Sequence, residues 1–598
     1  MKNKRILFSA SYSVIEPLGL LHLAGLARDM GWERDFSLVK YHDFEPFFEK
    51  VRDFKPRIVG FNVYTGNHLQ LHEAFKKLRK DHPNIATVVG GPHATYFPSE
   101  TLKFADFVVM SEGFEPLKSI LNGEARPGIL PLSSGTRFPQ SDRVNFYTHY
   151  PDHGKSRIKS VITMTGCPYA CTYCYNSTKL ENISSNMPPE IADGMVKKLG
   201  SNGRLFPKNV RTVDDVVAEG TEIARLWPDT KVIYFQDDVH GFDINDWMPE
   251  FAERWKKEVG IPYHAQMRWE MTRQERRLDL LQRAGCFGLT LAIEAADPVI
   301  RTEVLDRRMP TEIMFEGMKD IASRGLKVRT EQITGLPYGA TSKPTSINLD
   351  ADLELVKLNV ELLAKSGGPT MAWASTLAPY KGTNMGNYCE KYGFYNGDNS
   401  DVPDTFFEKS VLRFPKKWIG PDLERVKNEP GIWLEGSELE RYRNQNRELR
   451  NIFNFVTLVP EGHELARKYF ESEKPFSYDR LGIETIDHLR SLSNNGSAGR
   501  ILSQIGEIRA QIDSMGIKDA ALVKDLEALV PYFACIPGGK LAVERAVKYA
   551  HAIRNGGNSQ GISQTALSTA IRHHLYDNVL YATDNLHLPE NLRNPSKI

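Results

Sequence analysis

Along its first two thirds the chain alternates short apolar runs with helical periodicity, and no other feature restricts the fold so strongly. In residues 1–125 the runs are RILFS (5–9), RIVGFNV (57–63), ATVVGG (86–91) and DFVVMSEG (106–113). Between them, LQLHEAFKKLRK (69–80) places Leu71, Ala74, Phe75 and Leu78 on one helical face. Apolar strands alternating with helices predict a parallel, doubly wound α/β sheet. Ligands of such sheets lie beyond the carboxyl ends of the strands. Those ends carry Ser9, then Tyr64, Thr65 and Gly66, then Gly90, Gly91 and His93, then Ser111, Glu112 and Gly113. Small residues at neighbouring strand ends let a bulky ligand approach the backbone.

A Pro/Gly/Ser-containing stretch follows, and residues 131–155 are expected to be a linker after a first domain at 1–130. A second alternation starts at SVITMT (160–165). It runs through KVIYFQDD (231–238), YHAQM (263–267), GLTLAIEAA (288–296), KVRTEQITGLP (327–337) and TMAWASTLAPYKGT (370–383). Six such units fit a full or partial TIM-type barrel over 156–385, with its chemistry on the C-terminal strand face. From 386 to 598 the pattern turns polar and mostly helical, and RILSQIGEIRAQI spaces Ile501, Ile505, Ile508 and Ile512 as one helical face. This region is expected to be a helical accessory domain packed on the barrel.

The formal net charge of +1 leaves no electrostatic footprint for nucleic acid or an anionic membrane. No apolar run is long enough to span a bilayer, and the opening MKNKRILFSASYSV reads as a β-strand rather than a signal peptide. Six cysteines in 598 residues make no disulfide framework, so the chain reads as cytoplasmic.

Three of those six cysteines, Cys167, Cys171 and Cys174, fall within TGCPYACTYCYN (165–176), directly after the first strand of the second alternation. Clustered thiolates suit a soft metal centre, zinc or iron–sulfur. A structural zinc site closes with four ligands, and a closed cluster site with four cysteines. Here the loop supplies three and no local histidine, so one position stays open. Asp237 and Asp238 follow the second strand on the same face, where an acid can serve a site or cap the next helix.

C-x-x-x-C-x-x-C after a first barrel strand resembles the radical S-adenosylmethionine (SAM) superfamily. RTVDDVVAEG (211–220), FQDDVHGFD (235–243), LLQRAGCFGLTLAIEAADPVIR (280–301) and GLPYGAT (335–341) stand where that family has comparable segments. The resemblance implies that Cys167, Cys171 and Cys174 ligate a [4Fe-4S] cluster whose open iron is chelated by SAM. It also implies SAM contacts at Tyr173, Gln236, Asp237 and Glu294, with Gly335 and Pro337 shaping a turn near the cofactor. No second cysteine cluster is visible, which argues against methylthiotransferases and enzymes with auxiliary clusters.

A doubly wound domain before such a barrel resembles the cobalamin-binding subfamily. EPLGLLHLAGLARDMG (16–31), KPRIVGFNVYTGN (55–67), VVGGPHATYFPSE (88–100) and DFVVMSEGFEP (106–116) follow its pattern. The chain lacks an Asp-x-His-x-x-Gly loop, so no histidine is expected on cobalt. By resemblance Tyr64, Thr65 and Gly66 lie near the lower corrin face, and Gly90, Gly91 and His93 line the nucleotide tail. Gly19, Glu112 and Gly113 complete the expected cobalamin contacts.

Together the two domains imply a class B C-methyltransferase. A 5′-deoxyadenosyl radical abstracts hydrogen from an unactivated carbon, methylcobalamin delivers the methyl group, and a second SAM remethylates cobalt. The alternative within the subfamily is a radical cyclase, a ring-contracting enzyme or a carbon–carbon coupling enzyme without net methyl transfer. A zinc-stabilised binding protein without catalysis is the reading from another class. Expected partners are a small-molecule or peptide substrate and an electron donor such as flavodoxin or ferredoxin, with no nucleic acid.

Overall fold

The computed structural model describes residues 3–443 apart from short breaks, then 496–518 and isolated positions between 446 and 544. Two six-stranded parallel sheets organise it. The first contains β1 (Arg5–Ser11), β2 (Glu33–Val39), β3 (Ile58–Asn62), β4 (Ala86–Gly90), β5 (Phe107–Ser111) and β6 (Gly128–Ser133), in the order β2-β1-β3-β4-β5-β6. Helices cover both faces, and two apolar clusters result. One contains Leu7, Val59 and Val89 with Phe47, Phe75 and Leu78. The other contains Ile6, Phe8 and Val88 with Leu21, Leu117 and Phe146.

Two of these strands carry weak sequence signals. β2 opens on Glu33 and Arg34, and Asp35 in its middle pairs with Lys50 at 2.7 Å, so the run does not look apolar. β6 straddles the expected boundary at residue 130. The stretch 131–155 is therefore not a linker. It finishes the first sheet, then forms the helices Arg143–His149 and Pro151–Lys155. Phe146 is fully buried between Phe36 and Tyr150, with ring centroids at 5.1 and 5.2 Å.

The second sheet contains β7 (Ile158–Val161), β10 (Val232–Phe235), β11 (Tyr263–Met267), β12 (Cys286–Glu294), β13 (Lys327–Thr334) and β14 (Met371–Thr376). Its order is β14-β13-β12-β11-β10-β7, with β7 and β14 as unjoined edges, so the barrel is partial. SVITMT is not one strand. After β7 the chain is held by Asp237, and β8 (Met164–Thr165) pairs antiparallel with β9 (Asn209–Val210). Beyond the barrel, Ile505, Ile508 and Ile512 of the helix Gly496–Ser514 join the same apolar cluster as Leu289, Leu291 and Val356. The side chain of Ile501, and most of the expected accessory domain after 443, lie outside the described residues.

A buried polar network fastens the two sheets together. Arg143 donates to Glu219 at 2.8 Å, to Tyr147 Oη at 3.1 Å and to the Ser160 carbonyl at 2.5 Å. Tyr147 donates in turn to Glu16 of the first domain at 2.7 Å. Arg211 completes the charge balance at 2.5 Å from the other Glu219 oxygen. Glu16, Arg143, Arg211 and Glu219 are all buried. A low-dielectric setting strengthens the hydrogen bonds of such a network. It brings the strand ends of both sheets to one cleft.

Candidate active site

The cysteine loop leaves β8 at Gly166, whose φ is +77° and where an added Cβ would come within 2.7 Å of Pro207 O, which excludes a side chain. Arg204 staples the loop by donating to three of its carbonyls, those of Cys167, Pro168 (2.9 Å) and Tyr169 (3.0 Å). Ser177 Oγ closes the other end at 2.7 Å from Cys171 O and 2.8 Å from Cys174 O. Thr172 anchors the middle through Leu305 O and Val304 O, at 3.1 and 2.6 Å. These contacts fix the loop backbone.

Burial pushes the Cys174 thiol up to about 12 and the Cys167 thiol upward too. Such thiols stay protonated until a metal displaces their protons. Arg268 Nη1 lies 3.1 Å from Cys171 Sγ and its guanidinium stacks 4.0 Å from the Tyr169 ring, placing positive charge beside a thiolate centre. The three sulfurs do not all lie within 4.8 Å of one another. A tetrahedral zinc with bonds of about 2.3 Å would hold its sulfurs roughly 3.8 Å apart. A three-cysteine donor set suits an iron–sulfur cluster.

Around the loop, Tyr173 Oη donates to Glu294 Oε1 at 2.5 Å, and Arg307 donates to both at 3.0 and 3.2 Å. A β-bulge between Ala292 and Glu294 gives Glu294 a φ of +63° and re-aims its side chain at the strand end. Burial raises the Glu294 pKa, while Arg307 and the Tyr173 hydroxyl pull it back. Gly335, at φ +66°, donates its amide to both oxygens of Asp352 at 3.1 Å, so the turn carrying buried Pro337 is set from the helix Asn348–Ser366.

The two aspartates after β10 divide. Asp237 is fully buried and spends both oxygens within the protein. It accepts from Thr163 N at 2.5 Å, Thr163 Oγ1, Met164 N at 3.2 Å and His240 Nδ1 at 2.8 Å. It shapes the β7–β8 junction and does not face the cleft, contrary to the expected SAM contact. Asp238 faces it instead, open to the cleft, and desolvation by the surrounding walls pushes its carboxyl up to about 6 despite the Asn176 amide beside it.

That cleft, about 330 Å³, is walled from both sides. From the first domain come Gly19, Tyr64, Gly90, Gly91, Glu112 and Gly113, and from the barrel side Thr165, Gly166, Tyr175, Asn176, Gln236 and Asp238. Its floor is apolar, formed by Ile6, Phe8, Val88, Val109 and Leu117. A Cβ at Gly19 meets no protein atom within 4 Å, and one at Gly90 meets nothing nearer than 3.8 Å. Side chains there would fill the cleft itself, so the bare strand ends cradle an added group, as cobalamin requires. Burial lifts Glu112 to about 7, against the hydrogen bond from Asn209 Nδ2 at 3.1 Å.

Thr65, Gly66 and His93 do not line this cleft. The short helix Pro92–Tyr96 turns the His93 ring under the β3 loop, where it is fully buried, bonded to Thr65 Oγ1 at 2.9 Å and stacked on His68. Sequence reasoning missed Arg204, Arg268 and Arg307. Arg268 directly follows β11 and could have been found as a strand-end residue. The other two come from loops with no motif.

The B12 binding domain family matches residues 4–121, and the radical SAM superfamily matches residues 161–339. The chain is 22% identical over 480 residues to the cytidylyl-2-hydroxyethylphosphonate methyltransferase of Streptomyces wedmorensis, covering 69% of this chain and 84% of that protein. An uncharacterized methyltransferase of Pyrococcus horikoshii is 24% identical over 62% of this chain and 78% of its own. An anaerobic magnesium-protoporphyrin IX monomethyl ester cyclase of Cereibacter sphaeroides is 22% identical over 32% of this chain and 36% of its own. Among solved structures, the radical SAM methyltransferase TsrM of Kitasatospora setae, with cobalamin and a [4Fe-4S] cluster bound, shares the fold. It has a TM-score of 0.50 and 13% identity, covering 82% of this chain and 100% of that one. With a cobalamin-binding domain and a radical SAM domain whose strand ends meet at one cleft, the chain belongs to the cobalamin-dependent radical SAM enzymes, is related to their methyltransferases, and has SAM, a [4Fe-4S] cluster and cobalamin as its cofactors.

Proposed function

We propose that the protein transfers a methyl group to an unactivated carbon of a small-molecule or peptide substrate. The observation that carries this reading is the single cleft shared by the bare strand ends of the first sheet and the cysteine-loop side of the barrel. Bound together there, the cluster and SAM supply a 5′-deoxyadenosyl radical and cobalamin supplies the methyl group. Cys167, Cys171 and Cys174 hold the cluster, with Arg268 beside Cys171 and Arg204 fixing the loop. Tyr173, Gln236, Glu294 and the Gly335–Pro337 turn position SAM, and Asp237 acts at one remove by shaping the β7–β8 junction. Gly19, Tyr64, Gly90, Gly91, Glu112 and Gly113 receive cobalamin, and Thr65, Gly66 and His93 support that wall from behind. Holding both groups in one cleft supplies proximity, and the apolar floor excludes competing quenchers. A reduced flavodoxin or ferredoxin in the cytoplasm is the electron source in this reading.

The test uses enzyme reconstituted anaerobically with iron, sulfide and hydroxocobalamin, then given a chemical reductant and methyl-labelled SAM. Label is expected on protein-bound cobalamin without any organic substrate, and the Cys174→Ala variant should fall from about four irons per chain to below one. With candidate substrates, deoxyadenosine and labelled product should appear together. Failure to retain cobalamin, or deoxyadenosine with an unmethylated product, overturns methyl transfer; the second outcome assigns the cyclase-type reading.

A further inference from the structure

Behind the cobalamin-side wall lies a group of side chains that the proposed reaction does not use. His68, at the start of the helix His68–Asp81, His93 and Glu100 present ligand atoms all within 4.8 Å of one another. Among the described residues no other grouping of three or more His, Cys, Asp or Glu side chains meets that spacing. We propose that His68, His93 and Glu100 bind a divalent transition metal of the zinc type, at a site separate from the cysteine loop.

The donor set is two imidazoles and one carboxylate, which suits zinc with a fourth position open to water. His93 is fully buried, and its Nε2 has no hydrogen-bond partner. A buried polar atom left unpaired is costly and calls for an explanation. That nitrogen lies 3.6 Å from Glu100 Oε1, too far for a hydrogen bond. Two donors each about 2.1 Å from a tetrahedral zinc lie about 3.4 Å apart, so the gap is the one a metal would span. The other ring nitrogen, Nδ1, sits 2.9 Å from Thr65 Oγ1. In the tautomer whose Nδ1–H donates to that hydroxyl, Nε2 is bare, the arrangement an outer partner gives a metal-bound histidine.

His68 supplies the second imidazole, its ring centroid 4.2 Å from that of His93. The Gly66 amide lies 3.3 Å from His68 Nδ1. Glu100 has 39% of its side chain exposed, which leaves the site a water-accessible side. The ion would tie the loop after β3, which carries Tyr64, to the helix that follows Gly91. Tyr64 and Gly91 both line the cleft. The inference does not depend on the methyltransferase reading.

The experiment equilibrates the full chain, with its cluster reconstituted, against zinc and then passes it through a desalting column. Metal analysis should find about one zinc per chain beyond the cluster iron. Zinc K-edge absorption should show nitrogen and oxygen neighbours with imidazole scattering and no sulfur at about 2.3 Å. Glu100→Gln, at the partly exposed ligand, and His68→Gln should each weaken zinc at least tenfold. Losing a direct ligand costs more than the tenfold to hundredfold seen for lost outer partners. Circular dichroism and iron content should stay at wild-type values in Glu100→Gln, separating metal loss from misfolding. No retained zinc, zinc with sulfur neighbours, or zinc unchanged in Glu100→Gln overturns the proposal. Retention of iron above the cluster content, lost in the same variant, supports the site with a different metal of the same class.

Discussion

Arg204 shows how much a single side chain does at this centre. Its guanidinium satisfies three carbonyls of the cysteine loop, and hydrogen bonds from a charged donor are worth about 1.5–3 kcal/mol each. Arg204→Ala leaves those carbonyls short of a donor and loosens the spacing of Cys167 from Cys171 and Cys174. Global stability should drop by about 2 kcal/mol, well below the summed bond energies because water reaches the partly exposed oxygens. Iron retained after a chelator wash should fall to less than half, with Arg204→Lys partly restoring it. Unchanged iron in Arg204→Ala would show that the loop holds its shape unaided. Cys167, Cys171 and Cys174 stand out as a candidate metal loop in the sequence, because their spacing is local. Arg204 was not, since its role depends on the Lys179–Arg204 bridge that folds the segment back over the loop.

The elements around the barrel mouth are set from helices distant in sequence. Asp352 on the helix Asn348–Ser366 takes the Gly335 amide, the Tyr338 hydroxyl at 2.9 Å and the Asn446 amide at 2.5 Å. Burial still pushes its carboxyl up to about 7, those hydrogen bonds only partly offsetting it. The sign follows from linkage. Between about pH 4 and 7 the folded protein keeps a proton that the unfolded chain has lost, so stability falls as pH rises through that window and levels off above it. At about 1.36 kcal/mol per pKa unit the full difference is about 4 kcal/mol. Urea unfolding from pH 4 to 8 should show wild type losing roughly that much more than Asp352→Asn; equal slopes would show that Asp352 is ionised throughout. The sequence marked Gly335 and Pro337 as a turn. It could not mark Asp352, which looks like any acid on a helix until the fold buries it.

At the scale of the molecule, Glu219 holds the two halves in register. Although burial opposes ionisation, Arg211 and Arg143 together keep its carboxyl below the usual carboxylate range. Its contribution is therefore present above about pH 4.5 and lost as pH falls through the depressed value. Glu219→Gln strands two buried guanidinium groups and should cost about 3–5 kcal/mol. Limited proteolysis should then cut near residues 131–155, which pack between the sheets, and cobalamin binding should weaken because the cleft needs both walls. Unaltered protease resistance would show that the apolar contacts alone hold the halves together. By itself the sequence determined the two α/β repeats, the three-cysteine loop and the strand ends where ligands gather, because hydrophobic period and ligand spacing are written over a few neighbouring residues. Tertiary structure alone decided that residues 131–133 complete the first sheet, that 143–155 form helices, and that Asp238 rather than Asp237 faces the cleft. It also decided that His93 turns away to join His68 and Glu100. Each of those outcomes depends on which way a side chain points once distant segments pack, and no local pattern encodes that direction.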